Sequence, residues 1–149
     1  MDIKEFKRII DRIANKNKFE KAFNGWYKSS DESIITINLQ KSSYGKNYYM
    51  NLKIYIQGIF AKQYVVTKEL IKDDTGDIFL RQAKEYDLLF DLENTINQQE
   101  RELRLEEMFK NYVIPITVKA LRRDGIIELY REQKIFLLPA IKEYLKIDD

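Results

Sequence analysis

The sequence predicts an α+β fold in which an antiparallel sheet of about four strands packs against helices, with a helical C-terminal half. Three observations predict it: a helical apolar stripe at the start of the chain, two alternating β-rich runs around a short turn, and a long helical segment after residue 95. The chain has 149 residues, the length of one ordinary domain, so we expect a single domain over residues 1–149.

The first element is an amphipathic helix over residues 2–15. Asp2, followed three residues later by Glu5, forms the capping-box pattern of a helix start. A short helical turn is expected around residues 19–23, and a strand over residues 26–30. The apolar face of the helix comprises Ile3, Phe6, Ile10 and Ile13.

The strongest signal is a β-hairpin formed by residues 34–41 and 47–56. With the turn centred on Tyr44-Gly45, apolar residues face apolar residues and polar residues face polar ones. A slip of one residue would mix the two faces, so the turn must hold two or four residues. The apolar pairs are Leu39–Met50, Ile37–Leu52 and Ile35–Ile54, and the polar pairs are Gln40–Tyr49, Asn38–Asn51 and Thr36–Lys53.

The pattern is weaker between residues 58 and 95. Residues 60–71 fit either a helix or a strand, and so do residues 86–92. Residues 72–77 indicate a turn, and residues 78–80 a further strand.

The C-terminal half reads as helical. Thr95 and Gln98 form a second capping-box pattern, which opens a long helix that ends near Asp124. Pro115 should kink or divide this helix, and Gly125 is placed as its C′ residue. Residues 136–147 predict a final short helix with Pro139 in its first turn. The predicted core comprises Phe6, Ile10, Ile35, Ile37, Leu39, Met50, Leu52, Ile54, Phe109 and Val113.

The chain has no histidine and no cysteine. It therefore lacks the commonest general base, thiol nucleophiles and thiolate metal ligands. It also has no Gly-x-Ser-x-Gly elbow, no Ser-x-x-Lys motif and no phosphate loop. Asp73, Asp74 and Asp77 around Gly76 lack the alternation and closing glutamate of a calcium loop, so a plain turn is expected. We expect no metal, no cofactor and no catalytic residues.

Charge is nearly balanced overall but unevenly distributed. The formal net charge is +2; residues 1–63 hold twelve Lys/Arg against six Asp/Glu, and the remainder fourteen against eighteen. This balance argues against a protein devoted wholly to nucleic-acid binding. The charged start of the chain predicts no secretion signal, and no apolar run is long enough to span a membrane. We therefore expect a cytoplasmic protein without membrane contact.

The first third of the chain carries a family resemblance. Gly25-Trp-Tyr-Lys28, Ile35-Thr-Ile-Asn-Leu-Gln-Lys-Ser42 and Tyr48-Tyr-Met-Asn-Leu52 resemble a bacterial family known as domain of unknown function 4304, over about residues 1–57. The resemblance implies an α+β fold and brings no known activity. Lys53 stands where members often have a glycine, and the downstream histidines of some members are absent here. A histidine-dependent role therefore does not carry over. By looser analogy with small cytosolic bacterial proteins, toxin–immunity systems are one context for such a chain.

The candidate binding site is the polar side of the predicted hairpin, here called the polar hairpin face. Amide side chains on adjacent strands offer donors and acceptors at fixed spacing, which suits a peptide, a sugar or a nucleobase edge. The alternative is an ordinary solvated sheet face. The polar hairpin face comprises Asn38, Gln40, Tyr49, Asn51, Lys53 and Tyr55.

The leading functional hypothesis is a non-catalytic cytoplasmic domain that binds another protein, of which a toxin-neutralising immunity protein is one form. Ten tyrosines support it, because tyrosine buries a large area at low entropic cost. One alternative is a small single-stranded nucleic-acid-binding protein that uses the basic N-terminal half and its interleaved tyrosines and lysines. The other alternative is a carboxylate-dependent enzyme. The sequence does not indicate an oligomeric state.

Overall fold

The computed structural model describes all residues, 1–149, and shows an α+β fold built on one five-stranded antiparallel sheet. The strands follow chain order across the sheet, so every connection joins neighbours. The strands are β1 (Glu20–Ala22), β2 (Gly25–Ser29), β3 (Ser33–Lys41), β4 (Tyr48–Ile56) and β5 (Ile78–Arg81).

Helices cover one face of the sheet and enclose the main core, which includes 30 buried apolar residues. Nine of the ten predicted core residues are buried; Leu39, near the end of β3, is only half-buried. No helix combines the length and the apolar character needed to cross a membrane. The helices are α1 (Ile3–Lys16), α2 (Gln98–Met108), α3 (Ile114–Ala120), α4 (Arg123–Arg131) and α5 (Pro139–Tyr144).

The hairpin prediction is confirmed in register. Leu39 faces Met50, Ile37 faces Leu52, and the polar pairs oppose each other as the alternation requires. The Ser42 N–H donates to the Asn47 carbonyl, so the loop holds four residues, 43–46. The parity of the two faces therefore determined the register although the turn sequence is not ideal.

The sheet has one strand more than expected. Residues 20–22 form β1, where a helical turn was predicted. Phe23 and Asn24 both have positive φ, 50° and 60°, the backbone of a two-residue type I′ hairpin turn. Asn24-Gly25 is therefore part of a hairpin turn between β1 and β2, and the prediction of a helical turn was wrong.

Both predicted capping boxes are wrong. Asp2 precedes α1 but makes no capping bond through its side chain. Helix α2 is capped by Asn97, whose side-chain oxygen accepts from the Glu100 N–H at 2.8 Å, so the helix begins at Gln98 rather than near Thr95. Asparagine is an equally good cap, which the Thr-to-Gln spacing hid.

The predicted long C-terminal helix is interrupted before Pro115. A π-helical turn at Phe109–Val113 joins α2 to α3, with Pro115 in the first turn of α3. Proline has no N–H to donate, and the wider turn accommodates that loss. The helix ends at Ala120, and Gly125 lies inside α4 instead of serving as a C′ residue.

The remaining ambiguous segments form short turns. Residues 60–71 are neither the helix nor the strand that the pattern allowed: a 3₁₀ turn spans Ile59–Ala61 and a π turn spans Glu69–Asp73. A 3₁₀ helix spans Lys84–Phe90. The final helix, predicted over 136–147, is limited to Pro139–Tyr144, with Pro139 at its start as expected.

Candidate functional site

The structure divides the polar hairpin face into a covered half and an open half. Residues 67–76, here called the covering segment, lie over the end of the sheet that holds Lys53 and Tyr55. The Lys53 ammonium donates to the carbonyls of Ile71 and Asp74 at 2.9 and 2.7 Å, and the Tyr55 hydroxyl donates to the Leu70 carbonyl at 2.6 Å. Both side chains are buried, and burial lowers the pKa of Lys53. These two residues hold the covering segment on the sheet.

Replacing Lys53 with methionine should detach the covering segment. Two carbonyls lose their donor, while the desolvation of the ammonium is relieved, so we expect unfolding to require about 2 kcal/mol less free energy. Urea denaturation measures the loss, and limited proteolysis should show faster cleavage within residues 67–76. Lys68→Met, at an exposed position on the same segment, is the control and should change the free energy by less than about 0.5 kcal/mol.

A half-buried carboxylate, that of Asp77, lies directly after the covering segment. Asp77 accepts from the Ile56 N–H at 2.8 Å and from the Tyr64 hydroxyl at 3.0 Å. Burial raises the pKa of Asp77, although both hydrogen bonds and the nearby Lys62 act in the opposite direction. Burial and the Asp77 carboxylate raise the pKa of Tyr64, so this hydroxyl stays protonated and donates. The predicted plain turn at 72–77 is therefore tied to β4 by hydrogen bonds.

The raised pKa of Asp77 predicts a pH-dependent contribution to stability. The folded protein holds this proton more tightly than the unfolded chain, whose pKa is near 3.8. The stabilisation from the protonated carboxyl is complete below that value and is lost as the pH rises through the folded pKa. Relative to Asp77→Asn, the wild-type free energy of unfolding should fall as urea denaturations move from about pH 4 to pH 7. A wild-type free energy of unfolding that rises with pH relative to that of Asp77→Asn would contradict a raised pKa for Asp77.

The open half of the polar hairpin face is a hydrogen-bonded network at the hairpin end. The Asn51 amide donates to Gln40 at 2.9 Å, and the Arg81 guanidinium donates to Asn51 and Gln40 at 3.2 and 3.3 Å. Arg81 also stacks on the Tyr49 ring at 4.0 Å. Asn38 and Asn51 are themselves buried, and the side-chain oxygen of Asn38 is unpartnered, so the accessible groups here are Gln40, Tyr49 and Arg81. The structure thus brings together four of the six predicted residues at this end, and their role in binding stays a prediction.

Sequence reasoning missed Arg81. The alternation within 78–81 puts Phe79 and Arg81 on one face and Ile78 and Leu80 on the other. In the structure Arg81 pairs with Asn51, which places its side chain on the polar hairpin face. The alternation was readable, but the pairing partner of this short strand was not.

A second candidate site, also unpredicted, is a surface cavity of about 610 Å³ beside β5. It lies between the strand and the chain that follows α4, and we call it the β5 groove. Phe136 is 75% exposed, Phe79 is 41% exposed, and Leu138, two residues beyond Phe136, is 55% exposed. Apolar side chains this exposed usually mark an interaction surface when they cluster. The groove is lined by residues that include Phe79, Leu80, Arg131, Lys134, Ile135 and Phe136.

A basic hollow of about 280 Å³ lies between α1 and the β1–β2 hairpin, at the sheet edge opposite β5. Asp11 in this hollow accepts from the Trp26 indole at 2.8 Å and lies 3.7 Å from the Lys21 ammonium. Phe23, at the tip of the hairpin, is half-exposed. The cationic residues lining the hollow are Lys4, Lys7, Arg8 and Lys21.

Comparison with known proteins places the chain in a family. The family model described as Domain of unknown function (DUF4304) matches residues 11–119. The chain belongs to this family. The DUF4304 match includes the hairpin, the covering segment, β5, α2 and all but the last residue of α3, and it ends before residues 130–136 of the β5 groove. No curated protein and no solved structure matches the chain.

Proposed function

We propose that this DUF4304 protein is a non-catalytic, cytoplasmic protein-binding domain, of which a toxin-neutralising immunity protein is one form. The observation that carries the proposal is the β5 groove with its exposed apolar rim. Exposed aromatic side chains around a concave surface are typical anchors of protein–protein contacts. Gln40 and Arg81, which are exposed on the adjoining sheet face and bonded to the buried Asn51, add polar groups for the rim of such a contact.

The environment of the buried ionisable groups supports a structural rather than a catalytic role for them. Lys53, Tyr55 and Arg101 all bond to carbonyls of the chain itself, and Asp77 accepts from a backbone N–H. The single carboxylate that lines the β5 groove, that of Asp149, is bonded to Lys142 and Tyr130. The groove therefore offers no carboxylate pair of the kind that a hydrolase uses.

Capture of partners from native-host lysate tests this proposal. The tagged protein should retain a stoichiometric protein partner that survives nuclease, and Phe136→Ala or Leu138→Ala should reduce its capture by about tenfold, the effect of truncating an anchor residue. The matched controls are Phe60→Ala and Leu103→Ala, whose side chains are 57% and 63% exposed elsewhere on the surface. Equal losses in all four variants, or none in any, would contradict the proposal.

The basic hollow favours one second candidate, the single-stranded nucleic-acid binder. Lys4 and Lys7 form no ion pair within the chain, and the half-exposed ring of Phe23 is available for base stacking. This candidate requires affinity for a single-stranded oligonucleotide that falls steeply with salt and is reduced by Lys4→Ala with Lys7→Ala. Absent or salt-independent binding would eliminate it.

A further inference from the structure

The outer edge of β5 has unpaired main-chain groups. The Ser42 N–H donates to the Asn47 carbonyl, and the Gln57 N–H donates to the Glu32 carbonyl. The odd-numbered residues of β4 therefore direct their main-chain N–H and C=O groups towards β3, and the even-numbered residues direct theirs towards β5. The Gln82 N–H donates to the Met50 carbonyl, which puts Leu80 and Ile78 in the paired positions of β5. The N–H groups of Phe79 and Arg81 therefore point away from the sheet.

Little of this edge is used within the chain. The Tyr112 hydroxyl donates to the Arg81 carbonyl at 2.8 Å, which leaves the Phe79 N–H, the Phe79 carbonyl and the Arg81 N–H free. Edge strands are often shielded by a charged side chain lying across them. Here the Arg81 guanidinium turns inward across the sheet to Asn51 and Gln40, so it does not block the edge.

The basic side chains that line the β5 groove, Arg131 and Lys134, outnumber its one acidic side chain, Asp149. The hydrogen bond from Lys142 lowers the pKa of Asp149, and Arg131 helps to lower it. Arg131 and Lys134 take part in none of the ion pairs of the structure. The carboxylate that lines the groove, that of Asp149, is already paired with Lys142. An acidic occupant would meet this excess of basic side chains, whereas a second copy of this chain would bring like charges together at the same edge.

We propose that the β5 groove receives an extended, acidic segment of a partner protein, which pairs with β5 as a sixth strand. This inference rests on the proposed protein-binding function and deepens it. The main-chain groups of Phe79 and Arg81 hold the segment, as in strand addition to other exposed sheet edges. Alternate apolar side chains of the segment contact Ile135 and Phe136, and its acidic side chains lie near Arg131 and Lys134.

Titration of the full chain with two designed peptides tests the proposal. One blocked peptide alternates glutamate with valine, and the other alternates lysine with valine. Followed by NMR at low salt, the glutamate peptide should bind about tenfold more tightly than the lysine peptide and shift the resonances of β5. Equal affinity for the two peptides, no binding of either, or shifts outside the β5 groove would overturn the proposal.

A pair of substitutions at one position isolates the main-chain contact. Phe79→Ala removes the ring and keeps the N–H, whereas Phe79→Pro removes both; the ladder to β4 does not use this N–H, and proline is tolerated on edge strands. We expect the proline variant to bind the glutamate peptide at least about tenfold more weakly than the alanine variant. Equal binding by the two would show that no strand forms.

Amide exchange keeps the test decisive if the proline variant fails to fold. In the unsubstituted protein, the glutamate peptide should slow exchange at Phe79 and Arg81 and leave Leu80 unchanged, because Leu80 is already paired with β4. Unchanged exchange at Phe79 and Arg81 would overturn the proposal. Protection of these amides by dimerisation of the free protein would also overturn the proposal. Protection by an oligonucleotide, without protection by the peptide, would do the same.

Failure of strand addition and failure of the protein-binding function give different results. If Phe136→Ala reduces capture of a partner from lysate while Phe79→Pro and Phe79→Ala capture it equally, the domain binds protein without adding a strand. If Phe136→Ala leaves capture unchanged, the proposed function itself fails.

Discussion

Replacing Arg101 with methionine should lower the free energy of unfolding by about 3 kcal/mol. Arg101 is fully buried in α2 and donates to the Leu89 carbonyl at 2.6 Å, the Asp91 carbonyl at 3.3 Å and the Asn94 side chain at 2.9 Å. Burial lowers its pKa, opposed by the nearby Asp91, yet an arginine stays charged at neutral pH. Methionine fills similar space but leaves three acceptors without their donor.

Two further variants separate the hydrogen bonds of Arg101 from its charge. Arg101→Lys keeps the charge but lacks the forked donors, so its loss in urea denaturation should be smaller than that of methionine without vanishing. Arg104→Met, one turn along the same helix at a half-exposed position, should change stability by less than about 0.5 kcal/mol. A methionine variant as stable as wild type would show that Arg101 does not hold residues 89–94 on α2.

Replacing Gly125 with alanine should destabilise the protein by about 3 kcal/mol or more. A Cβ at this position would lie 1.9 Å from the Lys119 carbonyl oxygen and 2.5 Å from its carbon. These are backbone atoms, so no change of side-chain rotamer relieves the overlap, and the junction between α3 and α4 must shift. In an unconstrained helix the same change is stabilising by about 1 kcal/mol, which makes the sign diagnostic.

Thermal and urea denaturation measure the effect of Gly125→Ala. Glu128→Ala, on the exposed side of the same helix, is the matched control and should change stability by less than about 0.5 kcal/mol. A Gly125→Ala variant as stable as wild type, or more so, would contradict the close approach of the two helices.

The sequence predicted the parts of the fold that depend on alternation or on a long apolar stripe. The register of β3 against β4 follows from which residues face one another, because only one parity keeps both faces homogeneous. Helix α1 and the burial of Phe109 and Val113 follow from the helical spacing of apolar residues. The α+β class required only these elements.

The errors came from places where a few residues decide the backbone. Phe23 and Asn24 make a hairpin turn where a helical turn was predicted, and Asn97 caps the helix whose start was assigned to Thr95. The covering segment shows no periodic pattern of hydrophobic residues. Its carbonyls are held by hydrogen bonds from two side chains of β4, Lys53 and Tyr55. Patterns of hydrophobicity do not report such contacts.

Only part of the candidate site could be predicted from the sequence, because other parts depend on contacts between distant segments. Lys53 and Tyr55 lie on the polar side of the hairpin, and alternation cannot show that another segment buries them there. The β5 groove combines residues 79–80 with 130–136, which the chain brings together only after α2, α3 and α4 have packed. A site formed by such distant segments leaves no local motif in one sequence.

Site-specific photo-crosslinking tests the central claim most directly. A photoreactive phenylalanine analogue is placed at Phe136 or, as a control, at Phe60, whose side chain is also largely exposed, and the full chain is irradiated in its native host. The account predicts one discrete protein adduct at Phe136, lost with Leu138→Ala, and none of that size at Phe60. No adduct at Phe136, or the same adduct at both positions, would contradict the β5 groove as the protein-binding surface.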